Sequence, residues 1–195
     1  NFAEARLSGE TKTYLAVINE DERLVLKSRG GQDLWKSSEY FGGTMTYLLK
    51  PRSILDRSPT AGDAKDELNK IYLPSRILVT DLDENDQKEL IISVNEMATT
   101  RMLVTWRSFS RGSIYSLGYQ QMGMRQNWRS KDLPGALTDY QVKDFDNDGK
   151  PELIVAVVTQ YGEGLTESRS TIVAYKLASP EEMRKLEKQR RQGGE

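Results

Sequence analysis

Two acidic loops of the same pattern, each between two apolar segments, constrain the fold of this 195-residue chain more than any other feature. The later loop lies in YQVKDFDNDGKPELIVAV, residues 140–157, and the earlier one in ILVTDLDENDQKELIISV, residues 77–94. Corresponding residues are 63 positions apart, as Asp81 and Asp144 are. The flanking segments are rich in β-branched and apolar residues, which favours strands. The repeated strand–loop–strand unit predicts a repeat protein with one such unit in each repeat.

The loop side chains are of the kind that binds a hard cation. Alternate side chains of a tight turn can converge on one ion, together with a backbone carbonyl. The candidate ligands of the later loop are Asp144, Asp146, Asp148, the backbone carbonyl of Lys150, and Glu152. The corresponding residues of the earlier loop are Asp81, Asp83, Asn85, Gln87 and Glu89. A single acidic turn is usually only solvated, but two aligned copies between strands favour metal-binding or metal-derived loops.

An EF-hand loop begins with the same spacing of carboxylates, and two features exclude it here. An EF-hand requires a glutamate at its twelfth position and a helix on each side. The twelfth position of the later loop is Val155, and both flanks favour strands. The loops are therefore expected within a β-sheet structure.

The segments DFDNDGKPELIV and DLDENDQKELII resemble the FG-GAP/VCBS repeats of integrin-type β-propellers. The family pattern is D-x-D-x-D-G-x-x-[DE]-[LI], and the resemblance extends over about residues 13–178. It implies an all-β propeller segment of about three four-stranded antiparallel blades, in which the loop joins the first two strands of a blade. It also implies that the loop residues named above bind one or two Ca²⁺ ions.

The earlier loop departs from the family pattern at two positions. Asp86 stands where the later loop has Gly149, so a non-glycine residue must take the left-handed conformation. Asn85 replaces a carboxylate, which lowers the negative charge of the site. We therefore expect the later loop to bind calcium more tightly, and the earlier one to bind it weakly or not at all.

The remaining sequence divides into three blade-like units and a tail. The units of the blade region, 1–178, cover about residues 1–43, 75–138 and 139–178, with an insertion at 44–74 and a basic helical tail at 179–195. In the first unit, TYLAVINE is predicted to be the second strand, and a turn is expected at Ser8 and Gly9. Trp35 and Trp128 fall at equivalent points of a predicted fourth strand, which favours packing between blades over a ligand-binding role.

Three blades are fewer than the four or more with which propellers close. We therefore expect the chain to be part of a longer protein, or to complete its ring with another chain. Residues 2–8 are an alternative source of the fourth strand that the last unit lacks.

The composition excludes several classes of function. The chain has no cysteine and no histidine, so it has no disulfide, no thiolate metal site and no imidazole base. A net charge of −1 argues against nucleic acid as a partner. No apolar run approaches the length of about eighteen residues that a membrane span requires, so no membrane span is expected.

These observations predict a non-enzymatic calcium-binding β-propeller module that serves as a binding or scaffold domain. The family resemblance implies an extracytoplasmic location in a bacterium, in the periplasm, at the cell surface or secreted. A protein is the expected partner, and carbohydrate is a second candidate. Two alternatives stay open, namely a structural subunit of an envelope complex and a propeller hydrolase or lyase that uses carboxylates. No catalytic motif supports the enzyme.

Overall fold

The computed structural model describes residues 1–7, 12–50, 70–82, 86–98, 107–120, 123–161 and 167–177. Within these ranges the chain forms strands and no helix, and all pairs of strands are antiparallel. The predicted all-β class is therefore confirmed for this part of the chain. The predicted helical tail, the turn at Ser8 and Gly9, and the centre of the insertion lie outside the described residues.

The first sheet is a four-stranded meander. Its strands are β1 (Phe2–Arg6), β2 (Thr13–Ile18), β3 (Arg23–Lys27) and β4 (Asp33–Tyr40), paired in chain order. Half-buried and buried residues alternate along β2, as they do in a strand with one face in a core. Strand β2 is the second strand, as predicted, and β1 pairs with it. Residues 2–6 thus belong to the first sheet and are not bonded to the last one.

A short hairpin follows in the region predicted to be an insertion. Strand β5 (Tyr47–Leu49) pairs with β6 (Lys70–Tyr72). The guanidinium carbon of Arg107 lies 3.7 Å from the centre of the Tyr72 ring, and one of its nitrogens lies 2.6 Å from a carboxylate oxygen of Glu22. Because both charged side chains are largely buried, this contact fixes the hairpin to the body of the molecule.

The second sheet contains the earlier acidic loop. Its strands are β7 (Leu78–Thr80), β8 (Glu89–Met97), β9 (Phe109–Gln120), β10 (Gly123–Arg129) and β11 (Leu133–Pro134). Strands β7 to β10 pair in chain order, and β11 pairs with β9. Strands β9 and β10 form a hairpin, and β10 carries Trp128 of the predicted fourth strand.

The third sheet contains the later acidic loop. Its strands are β12 (Ala136–Lys143), β13 (Glu152–Gln160) and β14 (Arg169–Lys176), paired in chain order. Each acidic loop therefore joins the first two strands of its sheet, β7 to β8 and β12 to β13. This is the position that the sequence pattern predicts for both loops.

Two apolar cores hold the three sheets face to face. Leu90 and Ile92 of β8 pack with residues of the first sheet, whereas Ile91 of the same strand packs with residues of the third sheet. Successive side chains of a strand point to opposite faces, so the second sheet is covered on both sides. The sheets are therefore stacked in the order first, second, third.

Trp35 lies in the first of these cores, in contact with the second sheet. A Cβ atom added to Gly123 would lie 2.4 Å from the indole nitrogen of Trp35, so the ring covers this glycine closely. Trp128 packs against the core between the second and third sheets. Both tryptophans therefore pack between sheets, as their equivalent positions in the sequence predict.

The buried side chain of Asn95 links β8 to two other segments. Its amide nitrogen donates to the backbone carbonyls of Gly43, at 2.7 Å, and Leu137, at 2.8 Å. Its Oδ1 accepts from the Leu137 N–H at 2.8 Å. With 2% of its surface exposed, this one side chain connects the second sheet to β12 of the third sheet and to the segment that follows β4 of the first sheet.

Candidate metal centre

The later acidic loop brings three carboxylates together at the end of two paired strands. Asp144 follows directly on β12, Glu152 is the first residue of β13, and Asp146 lies on the turn between them. Each contributes one oxygen to a cluster in which these atoms lie within 4.8 Å of one another. Glu152 is buried, with 3% of its surface exposed, so this cluster extends from the surface into the protein.

Backbone N–H groups hold the loop around its own carboxylates. The Gly149 N–H donates to Asp144 Oδ2 at 3.0 Å, and the Phe145 N–H donates to Glu152 Oε2 at 2.8 Å. The turn requires left-handed backbone at Asn147, with φ of 59°, and at Gly149, with φ of 86°. Glycine takes this conformation without a steric cost, which explains its place in the pattern.

One carboxylate oxygen of this cluster is both buried and without a hydrogen bond. Asp144 Oδ2 accepts from Gly149, but Asp144 Oδ1 is shielded from solvent and has no hydrogen-bond partner among the described residues. A buried anionic oxygen in this state is costly because it has lost its water and gained nothing in return. A cation bound between Asp144, Asp146 and Glu152 would offset that cost. The residues present therefore fit a metal ion.

The donor atoms suit a hard cation, such as calcium, better than zinc or copper. All three members of the cluster offer carboxylate oxygen, and the chain contains neither histidine nor cysteine. Hard oxygen ligands suit Ca²⁺, which accepts six to eight of them in flexible geometry. Imidazole and thiolate ligands, which zinc prefers, are absent from the whole sequence.

Asp148, a predicted ligand, lies beside the cluster and binds a lysine instead. The Nζ atom of Lys176, at the end of β14, lies 2.9 Å from Asp146 Oδ2 and 3.0 Å from Asp148 Oδ2. A hydrogen bond from the Lys150 N–H holds the pKa of Asp148 below its ordinary value, and a hydrogen bond from the Lys176 ammonium adds to this effect. Hydrogen bonds to Asp146 and Asp148 raise the pKa of Lys176.

The earlier loop repeats part of this arrangement. The Asp86 N–H donates to Asp81 Oδ2 at 2.8 Å, as Gly149 does to Asp144, and Asp86 has the predicted left-handed backbone with φ of 64°. Asp83 and Asn85 lie outside the described residues, so only Asp81, Gln87 and Glu89 of the predicted ligands are described. Among the described residues of this loop, no cluster of three carboxylates occurs.

Glu89 has the same place in the sheet as Glu152 but different partners. Each is the first residue of the second strand of its sheet, and each has 3% of its surface exposed. Glu89 accepts from the Ser116 hydroxyl at 2.9 Å and from the Asn127 amide at 3.2 Å. Its carboxylate is therefore bonded to the third and fourth strands of its own sheet.

Two clefts outside the acidic loops lack a pair of carboxylates. A cleft of about 500 Å³ between the first two sheets is lined by one carboxylate, Glu4, together with Arg6, Arg29 and Lys88. A smaller cleft of about 140 Å³ beside Trp35 is also lined by one, Glu39. Among their described lining residues, neither cleft offers the two carboxyl groups that glycoside hydrolysis uses.

Sequence reasoning singled out the loop carboxylates but missed Lys176. In the register of β13 and β14, Lys176 lies opposite Glu152, which brings its amine to the loop. The signal was a lysine at the end of an apolar segment, and it has meaning only once this register is known.

Comparison with known proteins adds no family assignment, because no protein-family model matches the sequence and no curated protein sequence is significantly similar to it. No helix in the described part of the chain is long and apolar enough to cross a membrane.

Proposed function

We propose that this chain is a non-enzymatic, calcium-binding β-propeller module that serves as a binding or scaffold domain outside the bacterial cytoplasm. The observation that carries the proposal is the buried, unpartnered Oδ1 of Asp144, at the edge of a cluster with Asp146 and Glu152. Solvated acidic turns leave their carboxylates in water. An oxygen withheld from water inside an acidic cluster is instead typical of a site that takes a cation.

The proposed role of the ion is structural. Asp144 directly follows β12 and Glu152 is the first residue of β13, so an ion bound by both would link the ends of these two strands. The Lys150 carbonyl, Asp146 and Asp148 are the further proposed ligands of this site. Metal binding to the folded state alone contributes its free energy directly to folding. At the millimolar calcium concentrations found outside cells, a site with a Kd of about 10⁻⁴ to 10⁻³ M is occupied.

The stacking of the sheets supports a propeller segment. Three antiparallel sheets pack in sequence through two apolar cores, as successive blades do. The outer face of the third sheet carries Ile154, Ala156, Val158 and Ile172, and Ile172 is 65% exposed. An apolar sheet face of this kind fits a protein partner, in particular another β-sheet. Carbohydrate is a second candidate ligand for the loops of the module.

The experiment that tests calcium binding compares melting with and without the ion. Calcium at 10 mM, about ten to a hundred times the expected Kd, should raise the melting temperature by about 3–10 °C over that in EDTA. Asp144→Ala removes a ligand of the later loop and should abolish most of this rise. Asp81→Ala, its counterpart in the earlier loop, should remove less because that loop has less charge and a non-glycine turn residue.

Two results would contradict the proposal. If EDTA leaves the melting temperature of the parent unchanged, the loops do not hold a stabilising ion. If Asp144→Ala and Asp81→Ala lose the calcium effect equally, the later loop is not the tighter site.

A further inference from the structure

Lys176 places a positive charge on two of the proposed calcium ligands. Its ammonium bridges Asp146 Oδ2 and Asp148 Oδ2 at 2.9 and 3.0 Å. The other oxygens of these carboxylates accept backbone hydrogen bonds, Asp146 Oδ1 from the Asp148 N–H at 3.2 Å and Asp148 Oδ1 from the Lys150 N–H at 2.9 Å. Both oxygens of both carboxylates therefore have a partner, in contrast to the unpartnered Asp144 Oδ1.

The strand register explains why the lysine reaches the later loop. Lys176 is the last residue of β14 and lies opposite Glu152, the first residue of β13. Its side chain is 70% exposed, so the ammonium can leave the loop for solvent without disturbing a core. The contact is therefore both well placed and reversible.

The earlier loop has no lysine at the corresponding place. Leu90 of β8 pairs with Leu117 of β9, and one step further along the same register puts Gly118 opposite Glu89. A Cβ atom on Gly118 would lie 2.8 Å from the side-chain oxygen of Asn127, whose amide group bonds Glu89. The earlier loop thus has the neutral amide of Asn127 beside it, whereas the later loop has the ammonium of Lys176.

We propose that the Lys176 ammonium is an internal cation that competes with calcium for Asp146 and Asp148 and so lowers the calcium affinity of the later loop. The inference rests on the proposed calcium site. Without calcium, the ammonium offsets the repulsion among the loop carboxylates and preserves the shape of the loop. When calcium binds, it must displace the ammonium or bear its repulsion at close range. Either effect weakens binding.

Replacing Lys176 by an uncharged residue of similar length tests the competition. In Lys176→Gln the calcium Kd, measured by isothermal titration calorimetry, should fall by roughly thirtyfold, the effect of one unit charge on a divalent ion at about 4 Å in water. Lys176→Arg keeps the positive charge and should keep the Kd within twofold of the parent. In EDTA, Lys176→Gln should melt at a lower temperature than the parent, and saturating calcium should remove most of that difference.

Lys143→Gln is the matched control. Lys143 lies opposite Glu152 on the other side, at the end of β12, and is exposed. Among the described residues it forms no ion pair within 4.0 Å, so its substitution removes the same charge without removing a contact. If Lys143→Gln tightens calcium binding as much as Lys176→Gln, the effect is general electrostatics and the inference is wrong.

The outcomes separate the inference from the proposed function. Calcium binding with equal affinity to the parent and to Lys176→Gln would overturn the competition and leave the calcium site standing. Binding to Lys176→Gln but not to the parent would support competition in its strongest form. If neither protein binds calcium, both the inference and the proposed calcium site fail.

Discussion

At the scale of single residues, the polar groups that matter most are those that the fold has taken out of water. Asp144 Oδ1 is buried without a partner, whereas the buried amide of Asn95 has three hydrogen bonds. The difference is informative because native proteins rarely leave buried polar atoms unsatisfied. Asn95 serves the fold, and the proposed cation would complete the coordination of Asp144.

Asn95→Ala should destabilise the protein by about 3 kcal/mol. The substitution removes three hydrogen bonds and leaves the carbonyl of Gly43 and both backbone groups of Leu137 without their partner, and each such buried group costs about 1–3 kcal/mol. The free energy of unfolding, obtained from urea denaturation in excess calcium, measures the loss.

Thr138→Ala is the control for Asn95→Ala, because its hydroxyl is exposed on the neighbouring residue to Leu137. It should change stability by less than about 0.5 kcal/mol. A loss below about 1 kcal/mol in Asn95→Ala would show that Asn95 does not link the sheets.

At the scale of structural elements, the two acidic loops occupy the same place in their sheets and differ in the residue at the left-handed turn position. Their periodic strands, their place between the first two strands and the left-handed residue at Asp86 and Gly149 were all predictable, because these depend on short-range sequence. The contact of Lys176 was not predictable, because it depends on the register of β13 with β14. The role of Asn95 was not predictable either, because it depends on contacts between residues that are further apart in the sequence.

The two turn residues should respond in opposite ways to exchange. Gly149→Ala should destabilise the protein by about 1 kcal/mol, because its φ of 86° strains any side chain although no atom lies within 4 Å of the new Cβ. Asp86→Gly should stabilise it by about 0.5 kcal/mol. The relief of left-handed strain in the folded state should outweigh the free-energy cost of the more flexible unfolded chain. Both are measured by denaturation in EDTA, so that metal binding does not contribute.

Gly30→Ala is the control for these exchanges, since Gly30 lies outside the left-handed region and its nearest new contact would be 3.8 Å away. It should be neutral or slightly stabilising. Equal effects of Gly30→Ala and Gly149→Ala would mean that backbone strain does not decide the choice of residue in the later loop.

At the scale of the whole molecule, the stack of sheets formed by the described residues is covered in the middle and open at its two ends. The second sheet has an apolar core on each face, whereas the first and third sheets each contribute one face to a core. Phe2 in β1 is 68% exposed and Ile172 in β14 is 65% exposed. Sequence reasoning predicted three units, because each unit has its own strand pattern. It did not anticipate which residues lie at the open faces.

We expect these open faces to make the 195-residue chain self-associate in solution. Light scattering in millimolar calcium should show a defined oligomer or aggregates. Head-to-tail contact between two different faces either closes a ring of molecules or adds further molecules without limit. Ile172→Lys places a charge on the open face of the third sheet and should shift the population towards monomer. Leu48→Lys, in the β5–β6 hairpin and similarly exposed at 56%, is the matched control and should leave association unchanged. A parent that stays monomeric at high concentration and melts cooperatively would show that the open faces need no partner, and the propeller interpretation would then fail. If Leu48→Lys disrupts association and Ile172→Lys does not, the hairpin is the interface.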